Sequence, residues 1–133
     1  MFCQFRINLP FWRQSPSAAT NNISSRLIVG ESIEPVKVNW YVEVSASSNG
    51  ATSGNITVRL RSGTSPTTDG TTDVMAANTL AYNASEKLNV NPTHTTLTEG
   101  TYLQVDITGA PTGGQADDLT LILYGVPQWA KNL

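Results

Sequence analysis

Charge is scarce in this sequence. Only 14% of its 133 residues are Asp, Glu, Lys or Arg, against roughly a quarter in an ordinary soluble domain. Thr, Ser and Asn supply the polar surface instead, and they favour strands and turns over helices. The net charge of −2 and the pI near 5.2 give no basic footprint for phosphate, so no nucleic-acid partner is expected. Cysteine is nearly absent: Cys3 stands alone, which excludes a disulfide within the chain. No run approaches the ~18 apolar residues of a spanning helix. Met1–Pro10 also lacks the continuous apolar core of a secretory signal, so no membrane partner is expected. Folding must rest on burial and sheet hydrogen bonds.

Chemistry is missing too. His94 is the one histidine; it sits among Thr93, Thr95 and Thr96 in a turn, and neither an HExxH motif nor paired cysteines accompany it. No GxSxG motif, phosphate loop or dinucleotide fingerprint occurs. TGGQ at Thr112–Gln115 precedes a strand and no helix, so it is a turn and not a phosphate cradle. Asp117 and Asp118, with Asp106 and Glu99, carry the oxygens a hard cation takes, but they lack the regular spacing of a calcium loop. The glycosylation sequons at Asn22, Asn55 and Asn83 are of the kind chance produces in a chain rich in Asn, Ser and Thr. No catalytic residue, metal or cofactor is assigned, and the chain is not expected to be an enzyme.

What the sequence does contain is alternation. In Gly100–Pro127, Leu103, Val105 and Ile107 alternate with Tyr102, Gln104, Asp106 and Thr108, and Leu119, Leu121 and Leu123 alternate with Thr120, Ile122 and Tyr124. A period of two means one buried and one wetter face on each strand. The glycine-rich link between them suggests a hairpin. Leu27–Gly30 reads as a short strand. After it Val36, Val38, Trp40, Val42 and Val44 share one face, with Lys37, Asn39, Tyr41, Glu43 and Ser45 on the other. Ile56, Val58 and Leu60 then alternate with Thr57, Arg59 and Arg61, implying a second hairpin. Arg59 and Arg61 share the wet face, either solvated or pairing with a neighbouring subunit. Val74–Met75, Leu80–Tyr82 and Leu88–Val90 read as further short strands. Roughly seven or eight strands in two sheets fit an all-β sandwich of jelly-roll topology. It spans residues 27–127, with Val38, Trp40, Val42, Val58, Leu103, Val105, Leu121 and Leu123 in its core, and a short tail, 128–133, holds Trp129.

Residues 1–26 break this pattern. Phe2, Phe5, Phe11 and Trp12 cluster there with Arg6 and Arg13, Pro10 and Pro16 interrupt any ladder, and a Ser/Asn-rich run follows. One reading is a terminal strand that docks on its own sheet. The other is an extended N-terminal arm whose aromatic and Arg side chains bind a partner, since interface centres favour those residues. The second is adopted as the expectation, with Phe11 and Trp12 as anchors.

The order of Val36–Ala46 (VKVNWYVEVSA), Asn55–Gly63 (NITVRLRSG), a turn-rich middle and Thr98–Gly125 (TEGTYLQVDITGAPTGGQADDLTLILYG) resembles the small jelly-roll domains of tailed-bacteriophage structural proteins. Capsid decoration (cement) proteins and head-fibre or tail-fibre modules end in a similar way. The resemblance implies a virion protein on the exterior of the phage capsid, bound to the major capsid protein as a homotrimer. The alternative is a receptor- or carbohydrate-binding fibre module. In a trimer, Tyr41, Ile122 and Tyr124 are the outward apolar residues expected at the interface.

Overall fold

The computed structural model describes residues 3–9, 26–43, 54–81, 84, 86–93, 96–109 and 117–132, with the backbone alone for residues 3, 5, 7–9, 43, 117, 118, 131 and 132. Alternating β-branched, leucine and aromatic residues build strands throughout, as such side chains pack well on a pleated, half-buried surface. In chain order these are β1 (Cys3–Leu9), β2 (Leu27–Ile28), β3 (Ile33–Glu43), β4 (Asn55–Gly63), β5 (Thr72–Ala81), β6 (Glu86–Val90), β7 (Tyr102–Gly109) and β8 (Asp117–Pro127). A single 3-10 turn, Gln128–Asn132, follows β8.

The strands form two four-stranded sheets, ordered β1-β8-β3-β6 and β2-β7-β4-β5. Every neighbouring pair is antiparallel. β1 pairs with β8, β2 with β7, β3 with β6 and β4 with β5, so the chain behaves as one long hairpin. Its tip lies at β4–β5, and it is rolled so that successive rungs fall alternately in the two sheets.

The inward faces make one core. Val38, Trp40 and Val42 of β3 meet Ile56, Val58 and Leu60 of β4, Leu103, Val105 and Ile107 of β7, and Leu119, Leu121 and Leu123 of β8. All eight core residues expected from alternation are buried. Trp40 fills the space between the sheets at 0% exposure, and its indole N–H donates to Asn78 Oδ1 of β5 at 3.0 Å. That bond satisfies the polar atom that burial of a Trp otherwise strands. Leu97 staples the approach to β7 onto the other sheet, exchanging backbone hydrogen bonds of 2.9 and 2.8 Å with Ile33.

Three expectations are corrected. β7 and β8 are not a hairpin, and neither are β3 and β4; each pair is split between the sheets. Alternation tells a strand which face to bury but not which neighbour to pair with, and the links 110–116 and 44–54 are longer than a two-residue hairpin turn. Val36, placed with the core face, is 42% exposed. The β3–β8 register shifts between Pro35 and Lys37; this bulge inserts one residue and turns Val36 outward. Asn39, assigned to the wet face, is buried and its Oδ1 accepts the Asn89 N–H at 2.7 Å. Asn89 holds φ at 55°, a left-handed conformation that Asn tolerates better than most residues.

Part of the expected arm is a strand. Cys3–Leu9 pairs with β8 from Cys3↔Gly125 to Leu9↔Leu119, which is the terminal-strand reading for that portion. Phe2, Phe11, Trp12 and Arg13 lie outside the described residues, as do His94 and the Asn22 and Asn83 sequon positions.

Candidate functional site

Two surfaces gather the residues singled out by sequence. The first is the outer face of the β1-β8-β3-β6 sheet. Because Leu119, Leu121 and Leu123 of β8 point into the core, Thr120, Ile122, Tyr124 and Val126 point away from it. The register then sets their neighbours. Ile122 stands between Arg6 and Asn39, Tyr124 between Gln4 and Lys37, and Thr120 beside Tyr41.

Tyr41, Ile122 and Tyr124, expected as an interface set, therefore share one face, each half-buried. Lys37 Nζ lies 4.5 Å from the Tyr124 ring centroid, a cation–π distance. Arg6 and Gln4 are exposed at the β1 side. Phe5, also proposed for partner binding, stands opposite Leu123 in the backbone register. An apolar centre of Ile and Tyr with a polar rim of Gln4, Arg6 and Lys37 has the anatomy of a protein interface.

The second surface is a charged cluster on the outer side of the other sheet. Gln104 and Asp106 alternate with the core residues of β7, so both were expected to be wet. Instead Gln104 is 2% and Asp106 0% exposed. Asp106 Oδ2 accepts from Arg59 Nε (3.2 Å), Arg59 Nη2 (3.0 Å) and Arg61 Nε (2.6 Å), and Gln104 Nε2 donates to Oδ1 at 2.9 Å. A carboxylate survives full burial only with such partners.

Gln104 extends the network outward. Its Oε1 accepts the Gly70 backbone N–H at 2.7 Å and Arg26 Nε at 3.3 Å. Arg26 also donates to Asp69 Oδ1 at 2.8 Å and to the Pro66 carbonyl at 3.1 Å. The segment before β2, the β4–β5 loop, β4 and β7 are thereby tied to one buried acid. Arg26, counted in the arm by sequence, binds its own sandwich.

Arg59 and Arg61 are thus neither a simply solvated pair nor, in this chain, an empty pairing surface. Their side chains are 26% and 14% exposed, and Arg61 Nη2 is buried without a hydrogen-bond partner. Asp106 is committed to arginine and not to a cation site. Among the described residues no group of three or more His, Cys, Asp or Glu is placed to hold a metal ion, and no helix is long and apolar enough to cross a membrane. Alternation alone hid this cluster; the one available signal was a pair of arginines two residues apart on one face of a strand, with an Asp on the wetter face of another strand.

No family model matches the chain, and no curated protein or solved structure matches it.

Proposed function

We propose that this chain is a virion structural protein: a capsid decoration protein on the exterior of a tailed-phage head, bound to the major capsid protein lattice as a homotrimer. The observation that carries the reading is the strand order. A long hairpin rolled into β1-β8-β3-β6 and β2-β7-β4-β5 is how eight strands wind into a jelly roll, an architecture that capsid proteins use. It supports the jelly-roll assignment on grounds independent of the sequence resemblance.

Fold does not fix function, so the role rests on a surface. The outer face of the β1-β8-β3-β6 sheet, with Tyr41, Ile122 and Tyr124 at its centre and Gln4, Arg6 and Lys37 around them, offers an apolar and aromatic patch with a charged rim to another protein, and Phe2, Phe11, Trp12 and Arg13 are proposed as further partner contacts. The test is a reconstruction of the parent particle by electron cryomicroscopy. Density for this chain at symmetry-related positions on the capsid lattice is the expected result; density on a fibre, or none on the head, would reject the reading.

A further inference from the structure

At one end of the sandwich, where β4 gives way to the β4–β5 loop and residues 96–101 lead into β7, lies a cleft of about 210 Å³. Ser62, Thr64 and Thr72 stand on one side, with Thr96, Leu97 and Thr101 on the other, and among the described residues no charged one lines it. Both walls are fixed by the fold. A Cβ on Gly63 would stand 2.7 Å from Gly70 Cα, and one on Gly70 would stand 2.5 Å from the Ser62 carbonyl oxygen. The loop can close this tightly only because both positions are glycine. The opposite wall is held by the Leu97–Ile33 backbone bonds and by Thr101 Oγ1, which donates to the Thr98 carbonyl at 2.7 Å.

The hydroxyls of Ser62, Thr64, Thr72 and Thr96 have no hydrogen-bond partner among the described residues. Ser62 is the telling case. The residue is only 6% exposed, yet its hydroxyl is not among the sealed, unsatisfied atoms, so its remaining access opens on the cleft it lines. A nearly buried hydroxyl in that position is completed by water or by a ligand.

We propose that the cleft binds a neutral polyhydroxy ligand, a single sugar ring. Hydroxyl groups both donate and accept, so a wall of Ser and Thr matches a ligand whose own groups do the same. An anion would require a cation in the lining and a metal would require carboxylates, and neither is there. An apolar ligand would leave the hydroxyls unpaired. The volume falls below the roughly 300–1,000 Å³ of sites that hold drug-sized ligands, which limits the occupant to about one ring. A ligand this small in an open cleft binds with Kd on the order of 1 mM. The ring could come as a free monosaccharide or as the terminal residue of a surface glycan.

The test uses the full chain, labelled with ¹⁵N, titrated to tens of millimolar with glucose, galactose, mannose and N-acetylglucosamine, and with an oligosaccharide ending in whichever sugar binds. Saturable amide shifts confined to Ser62–Thr64, Thr71–Thr72 and Thr96–Thr101 for at least one sugar are expected. Similar affinity for the free sugar and the oligosaccharide is also expected. Ser62→Ala and Thr72→Val, tested separately, should each weaken binding by about 3- to 10-fold, the worth of one hydrogen bond, with the melting temperature unchanged. Absence of saturable shifts across the panel would overturn the proposal. So would binding by the oligosaccharide alone, or full affinity in both variants.

Discussion

Asp106 shows how much one residue can demand of a sheet. At 0% exposure its carboxylate is held by Arg59, Arg61 and Gln104, and removing its charge leaves two partly buried guanidinium groups without their shared anion. Asp106→Asn should therefore destabilise the chain by about 3–5 kcal/mol, read from urea unfolding. The cost comes from stranding the partners and not from losing a strong net attraction. Replacing the whole set (Asp106→Leu, Arg59→Met, Arg61→Met) should consequently give a protein more stable than Asp106→Asn alone; a triple variant less stable than the single one would refute that account. Leu121 tests the apolar side of the same ledger. It is fully buried beside Trp40 in the register, and Leu121→Ala should cost about 2–5 kcal/mol through lost transfer energy and the cavity left behind.

Elements were legible in the sequence to different depths. Alternation marked the buried face of β3, β4, β7 and β8, because a period of two is a local property that any half-buried strand must obey. It could not show that β7 pairs with β4, or that β8 lies between β1 and β3, since pairing is settled by distant residues. The same limit hid the candidate sites. Tyr41, Ile122 and Tyr124 were readable as outward residues, and the register then placed them on one face. Asp106 reads as a wetter-face residue, and Arg59 and Arg61 as either solvated or pairing with a neighbouring subunit, because their mutual contact exists only once β4 and β7 lie side by side. Strand pairing is checked by nuclear Overhauser contacts: a backbone ladder should join Ile122 to Asn39 and Leu60 to Val105, and none should run between β7 and β8. The β3 bulge has its own check. Val36→Lys, at a position 42% exposed, should change stability by no more than about 0.5 kcal/mol, whereas Val38→Lys buries an unpaired charge and should unfold the chain.

At the scale of the whole molecule, self-association turns on area. A specific interface buries roughly 800 Å² per partner, about an eighth of the 6855 Å² this chain exposes, so a single sheet face is large enough to serve. On the outer face of β1-β8-β3-β6, Ile122 and Tyr124 sit at the centre of the register between β1 and β3. Central apolar and aromatic residues carry most of the binding energy in such patches. Neither side chain reaches the core, so charging them should spare the fold. The variant Ile122→Asp with Tyr124→Glu should keep the wild-type melting temperature to within a few degrees while abolishing association. By light scattering at micromolar concentration the wild type should appear as three copies of the 14.3 kDa chain and the variant as one. A trimeric variant would move the interface to another surface, and a monomeric wild type would reject a stable trimer in solution. Loss of fold in the variant would mean that this face is covered by the chain itself, leaving no room there for a partner.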